Sequence, residues 1–268
     1  MIAKEAKFRK QVRMHYRIHQ RDLPWRRTRD PYRILVSECM LQQTQVARVL
    51  KFYPRFLKQF PSLRVLARAP LPKVLRAWQG LGYNRRALNL KRATEIIFRQ
   101  YHGEIPRDEK QLRALPGVGQ STAGAIMAFA FGKPAIFIET NIRRAYIHFF
   151  FPKKQKVCDE DILKLITKTL DHKNPREWYW ALMDYGAMLG TRETNPNTKS
   201  AHYRKQPAFR GSTRELRGKI LKLLLTTKRI DTSTLAVRLD AEESRVAQAL
   251  GGLTRDELVR LRGTMLSL

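Results

Sequence analysis

Cysteine is nearly absent: the 268-residue chain has two, Cys39 and Cys158. Two thiols build neither a disulfide framework nor a four-cysteine metal or cluster site, so a reducing compartment is expected. Long apolar runs are missing too. No stretch of about 18 apolar residues offers a membrane-spanning helix, and Met1–Arg13 is basic and helix-like, without the apolar core of a signal peptide. The expectation is a cytoplasmic, nucleoid-associated protein of prokaryotic type with no membrane partner. Acidic residues are scarce, 23 against 53 Lys and Arg, which leaves a formal charge of +30. Because 43% of the residues are hydrophobic, that excess decorates a folded surface rather than a disordered tail. Such a surface suits a polyanion, nucleic acid ahead of a ribosomal or anionic-membrane setting.

Strand-like alternation is nearly absent before residue 255. Apolar residues instead recur three and four apart, as in Val46, Val49, Leu50 and Tyr53, between short polar or proline turns, which predicts an all-α chain. The length suits a bilobal helical domain with a small appendage. Residues 23–133 read as one lobe, and 1–22 with 134–200 as the other. Asn195–Ser212 has two prolines and no apolar period, and its part from 201 to 212 is assigned as a basic linker. Beyond it, Thr213–Leu225 and Thr232–Leu239 read as helices, Asp240 with Glu243 as a capping box opening a third, and Leu258–Leu268 as a β ribbon. That order predicts a winged-helix-like module over 213–268, its third helix directed at a major groove. A cap that only buries apolar surface of the main domain is the competing reading.

The sharpest local signal is Leu115-Pro116-Gly117-Val118-Gly119, ahead of a helix predicted over Gln120–Phe131. Two glycines in a tight turn let backbone N–H groups converge on a phosphate at a helix N-terminus with no side chain in the way. Leu115, Gly117, Val118, Gly119, Gln120 and Ser121 are therefore the phosphate-binding candidates, and the turn is the hairpin of a helix-hairpin-helix motif. A bare Gly-x-Gly is weak evidence. The flanking Leu-Pro, the following Ser-Thr-Ala and the charge of the chain strengthen it.

Further motifs accompany the hairpin in order: Leu23-Pro24-Trp25-Arg26, Asp30-Pro31-Tyr32, Ser37-Glu38-Cys39-Met40-Leu41-Gln42-Gln43-Thr44-Gln45-Val46, Gly80-Leu81-Gly82-Tyr83, Ser121 to Ile126, and Met183-Asp184-Tyr185-Gly186-Ala187-Met188. With them the chain, from about residue 20 to residue 192, resembles the helix-hairpin-helix DNA glycosylases, and among these the adenine-mismatch branch. The resemblance implies a six-helix barrel lobe carrying the hairpin, and base flipping as the mode of action. It makes Glu38 the acid that protonates a flipped purine at N7. Gln42, Gln43 and Thr44 become the residues that fill the space left by the flipped base, and Tyr83 the aromatic inserted near the mismatch. Trp25 and Arg26 become walls of the base pocket, to which Trp180 and Asn141 are also assigned. On the residues alone, Glu38 reads as a solvated or N-terminal helix charge, the polar triplet as an exposed helix surface, and Tyr83 and Trp25 as packed core.

The departures from the family are as informative. Bifunctional relatives carry a lysine two residues after the hairpin's second glycine; Ser121 stands there, and a hydroxyl cannot form an imine. Ser121 thus marks the catalytic position of a monofunctional hydrolase with no Schiff-base lyase step. The family's second carboxylate, an aspartate, matches Glu139, one methylene longer. The first of the family's iron-sulfur cysteines matches Gly190, and Thr191–Ser212 contains none, so neither cofactor nor metal is expected. Arg192, Lys199, His202, Tyr203, Arg204 and Lys205 are left to contact phosphates. The polar residue that reads the adenine edge matches Trp180, which offers one N–H. Nor does the sequence contain the β-rich domain that senses oxidised guanine in those enzymes.

The expectation is a monomer that binds double-stranded DNA, with Glu38 and Glu139 facing a base pocket between two lobes. Mismatched adenine is the first substrate, with uracil, thymine opposite guanine or hypoxanthine as alternatives. A DNA-binding protein without activity is the alternative of another class.

Overall fold

The computed structural model describes residues 2–191 and 194–268; Arg192 lies outside the described residues. Its helices are α1 Ile2–His19, α2 Pro31–Leu41, α3 Val46–Gln59, α4 Leu63–Arg68, α5 Leu71–Trp78, α6 Arg85–Gln100, α7 Glu109–Arg113, α8 Gln120–Phe131, α9 Thr140–Phe150, α10 Asp159–Thr169, α11 Pro175–Leu189, α12 Thr213–Thr227, α13 Leu235–Leu239 and α14 Glu243–Arg255. Three short strands follow the same numbering, β1 Arg229–Asp231, β2 Arg260–Arg262 and β3 Met265–Ser267. The all-α reading holds. Among the described residues, no helix is long and apolar enough to cross a membrane. The chain forms two compact units, one of residues 1–38, 106–114 and 118–205, the other of 39–105, 115–117 and 206–268. The sequence reading divides its lobes after residue 133; the compact units divide inside α2.

In the first unit α8 is the central helix. Every residue from Thr122 to Phe129 is buried, as expected of a helix that is apolar all round, and Gly132 (φ 64) ends it in the left-handed conformation. α9 and α11 touch backbone to backbone: a Cβ on Gly186 would stand 2.0 Å from the Asn141 carbonyl oxygen. Phe8 of α1 meets Tyr146 at 4.9 Å and Trp178 at 6.1 Å between ring centroids, which ties α1 to α9 and α11. Burying such a ring contributes about 1.5–3 kcal/mol.

The second unit packs α3, α5 and α6 around Phe56, Phe60 and Trp78, all fully buried. α12 buries Leu216, Ile220, Leu221, Leu224 and Leu225, packing on α5 and α14. β1, β3 and β2 pair antiparallel in that order, with Ile230 and Leu261 both opposite Leu266. The order is helix, strand, two helices and two strands; the three helices and the terminal ribbon follow the sequence reading, and β1 is an addition to it.

Its details differ from the sequence reading. Thr232–Leu239 is a 3-10 turn, Thr232–Thr234, followed by α13. Asp240 does not cap α14; it closes α13 in the left-handed region (φ 48, ψ 58) with its N–H directed back to α13 carbonyls, a conformation that aspartate tolerates. Glu242 precedes α14 without a side-chain cap. β1 is too short for its alternation to register in a sequence.

Candidate active site

Asp184, on α11, anchors the site from beneath. Its carboxylate, 1% exposed, accepts from Arg21 Nε at 2.6 Å and the Arg21 backbone N–H at 3.0 Å, and from Arg26 at 2.8 and 2.7 Å. Burial would raise its pKa, but the hydrogen bonds and charges of Arg26 and Arg21 outweigh that and hold it below the ordinary carboxylate range. Arg26 is thereby locked, and its guanidinium lies 5.4 Å from the Trp180 ring centroid. Arg176 lies 4.4 Å from the same ring and donates to the Arg26 carbonyl at 3.0 Å. Trp180, half-buried, is thus flanked by two cations, while Trp25 is buried in the 3-10 turn Pro24–Arg26. The predicted wall residues Trp25, Arg26 and Trp180 all belong to this first unit.

Glu38 and Glu139 belong to it as well. Glu38 sits in the last turn of α2, half-buried. Burial lifts its pKa to about 8, the charge of Glu139 adds to the lift, and Arg26 opposes it. Glu139 is the N-cap of α9. One oxygen accepts from the Ile142 N–H at 2.7 Å and the other from Asn141 Nδ2 at 3.2 Å. Asn141 in turn accepts from Arg144 Nη1 at 2.8 Å. Burial also raises the pKa of Glu139, but the N–H groups of Asn141 and Ile142 and the charges of Arg144 and Arg143 work against it. On balance the pKa of Glu139 is still raised. Glu38 feels the charge of Glu139, and of the two only Glu139 stands at a helix N-terminus with donors directed at it. Glu139 therefore loses its proton first, and Glu38 keeps one to higher pH. The extra methylene of Glu139 does not prevent the capping geometry.

In the hairpin, Leu115 and Val118 are buried anchors. Gly117 has φ 75, and a Cβ there would meet Asn89 Cβ at 2.8 Å, so no other residue fits. Gly119 caps α8 with no side-chain bond, and Gln120 is exposed and Ser121 half-exposed in the first turn. The first N–H groups of a helix so capped have no intrahelical partner and suit an anion.

Gln42, Gln43 and Thr44 are not helix surface: α2 ends at Leu41, and Gln43 is exposed with φ 53. Gln42 Nε2 donates to the Gly117 carbonyl at 3.1 Å, which joins this turn to the hairpin. A residue the sequence reading missed organises both the Gln42–Thr44 turn and the turn that carries Tyr83. Arg86, 8% exposed, donates to the carbonyls of Cys39 at 2.9 Å, Met40 at 2.8 Å and Gly82 at 3.1 Å, to the Gln42 carbonyl, and to Thr44 Oγ1 at 2.9 Å. Its guanidinium lies 5.5 Å from the ring centroids of both Trp78 and Tyr83. Among many basic residues nothing marked it out.

At Gly190 a Cβ would stand 2.4 Å from Arg144 Nη1, so a side chain there would displace the end of Arg144. Arg144 also donates to the Gly186 carbonyl at 2.8 Å and to Asn195 Oδ1 at 3.0 Å. Among the described residues no group of three His, Cys, Asp or Glu is placed to hold a metal ion.

The family model described as HhH-GPD superfamily base excision DNA repair protein matches residues 36–168. The adenine DNA glycosylase of Mycobacterium tuberculosis is 34% identical over 278 residues, covering 92% of this chain and 91% of that protein. That of Buchnera aphidicola is 35% identical over 65% of this chain, which spans 50% of it. The human adenine DNA glycosylase is 33% identical over 71% of this chain and is spanned to 37%. Among solved structures, a thermostable thymine-DNA glycosylase superposes with TM-score 0.64 at 27% identity, covering 74% of this chain and 92% of that one. Endonuclease III in a non-covalent DNA complex gives 0.61 at 21% identity, over 71% of this chain and 89% of its own, a likeness of fold. The chain belongs to the HhH-GPD superfamily of base excision DNA repair proteins, among the adenine DNA glycosylases.

Proposed function

We propose that this protein binds duplex DNA, flips out a mispaired adenine and hydrolyses its N-glycosidic bond. The observation that carries the proposal is the carboxylate pair, Glu38 with its pKa raised to about 8 and Glu139 held at a helix N-terminus. The protonated Glu38 delivers its proton to the purine, which then departs as a neutral base. Ionised Glu139 stabilises the positive charge left on the sugar, and water closes the reaction. The hairpin over Gly117–Gly119 grips a phosphate with backbone N–H groups while the base is out of the stack. Trp180 supports a second reading, thymine opposite guanine, because an indole flanked by cations cannot pair with a purine edge as an amide would.

A panel of duplexes, each with one altered pair, tests both. Adenine opposite guanine or oxidised guanine is expected to be released, with strand breaks only after alkali and no adduct trapped by borohydride, because Ser121 supplies no amine. Release from the T·G duplex alone would install the second reading. Release from none would leave a DNA-binding protein, and an efficient borohydride adduct would remove the monofunctional assignment.

The reaction as proposed uses no cofactor. Two cysteines are too few for the four thiolates of an iron-sulfur cluster. The purified protein is expected to show no absorption near 400 nm, roughly where thiolate-ligated clusters absorb, and no iron by elemental analysis. Stoichiometric iron and sulfide would overturn that.

A further inference from the structure

We infer that Arg214, in the first turn of α12, is a positioning residue for Tyr83 and so sets discrimination of the base opposite the flipped one. The inference rests on the proposed reading of Tyr83 as the residue inserted at the mismatch. Tyr83 follows Gly80 (φ 94) and Gly82 (φ 76) and itself has φ 47. A residue with a Cβ keeps such a backbone only when its surroundings hold it there. Two holds are local: the Arg86 backbone N–H donates to the Tyr83 carbonyl at 2.9 Å, and the Arg86 guanidinium lies 5.5 Å from the ring centroid. The third comes from the winged-helix-like module, where Arg214 Nη1 donates to Tyr83 Oη at 3.0 Å across 131 positions.

Arg214 is itself fixed. Its Nη2 donates to the Pro207 carbonyl at 2.7 Å and the Ala208 carbonyl at 3.3 Å. The module that carries it is fastened to α6, which begins two residues after Tyr83. Asp256 takes both Arg85, at 3.0 Å, and Arg217, and Glu257 takes Arg92. Arg76 of α5 donates to the Leu225 carbonyl of α12 at 3.0 Å. A phenol held at its far end by a fixed, charged donor gives up little ring freedom when it enters a base stack, and such donors bond more strongly than neutral ones. The module therefore does more than bury α5 surface: it holds the tip of the residue that probes the mismatch.

The test is a double-mutant cycle in the full chain, with Glu38→Gln present so that no turnover disturbs binding. The quantity read is the affinity for an A·G duplex over an A·T duplex. That ratio cancels the loss of one positive charge, which weakens both duplexes alike. Tyr83→Phe removes only the hydroxyl. It and Arg214→Met are each expected to lower the ratio by about tenfold, the weight of one hydrogen bond to a charged donor, and the double variant no further than either single. Additive losses would overturn the inference, as would an unchanged ratio in Tyr83→Phe, which stands alone if Arg214→Met fails to fold. Excision by the chain without Glu38→Gln is measured alongside. Normal adenine release with an unchanged ratio would defeat only this inference; no adenine release with a non-additive loss would defeat only the proposed reaction.

Discussion

Glu38→Gln is expected to cut single-turnover base release by roughly 10²–10⁴-fold, the span that a positioned general acid contributes, while binding to the same duplex stays within a few fold. The amide fills the same volume and has no acidic proton. The pH profile carries the sharper test. In the proposed reaction Glu38 acts in its protonated form, and burial lifts its pKa to about 8, so release should hold level through neutral pH and fall about tenfold per unit above roughly 8. On the acid side release should fall where Glu139 takes up its proton, and the two limbs belong to the coupled pair rather than to either group. In Glu38→Gln the alkaline limb should vanish. Undiminished turnover in that variant would remove Glu38 from the mechanism.

The same carboxyl has a stability cost whose sign is fixed by its shift. Between the ordinary value of 4.5 and the folded value of about 8, the folded chain keeps a proton on Glu38 that the unfolded chain has lost. Stability contributed by this group is therefore full below about 4.5 and lost as pH rises through about 8. Glu38→Gln should accordingly unfold at a higher temperature than the parent at pH 8, with the gap closing toward pH 4. A gap of the opposite sign would mean that the buried Glu38 charge is compensated by a donor.

How much of this was legible in the sequence divides along a physical line. The hairpin was legible because its rule is local: Gly117 answers to its own φ of 75. Glu38 and Glu139 stood out only through the family resemblance, and the capping of α9 by Glu139 through the N–H three residues on was not read. Arg86, Asp184 and Arg214 were not legible. Arg86 works through carbonyls 46 and 47 positions away, Arg26 reaches Asp184 across 158, and Arg214 reaches Tyr83 across 131. In a chain with 53 Lys and Arg, one that binds its own backbone looks like one that binds phosphate. Arg217 and Lys219 show the same ambiguity: Arg217 pairs with Asp256, and Lys219, half-exposed, lies 3.4 Å from Glu215. The Asp240–Glu243 pair misled for another reason. Aspartate suits a helix start and a left-handed stop alike, and here the stop of α13 takes it.

Arg86→Met should carry the largest penalty outside the carboxylate pair, in stability and in mismatch recognition together. The methionine fills the same channel but leaves the carbonyls of Cys39, Met40, Gln42 and Gly82 without their shared donor. Unsatisfied buried acceptors cost about 1–3 kcal/mol each; allowing for water reaching some of them, a loss of at least about 3 kcal/mol is expected, or a melting point lower by about 6–12 °C. Stability alone does not show what Arg86 is for, so Lys91→Met is the matched control. Lys91 is 6% exposed in the same compact unit and donates to the Ala67 carbonyl at 2.7 Å and to Glu95 Oε1, not to the Gln42–Thr44 turn or the Tyr83 turn. Both variants should melt early. At a temperature where both are folded, Lys91→Met should excise and discriminate like the parent, whereas Arg86→Met should lose both, because the Gln42–Thr44 turn and the Tyr83 turn are no longer held on one guanidinium. Arg86→Lys keeps the charge but replaces a planar fork by a single ammonium, which cannot reach carbonyls on both turns at once, and it should fall with Arg86→Met. Equal excision by the Arg86 and Lys91 variants would reduce Arg86 to a structural cation.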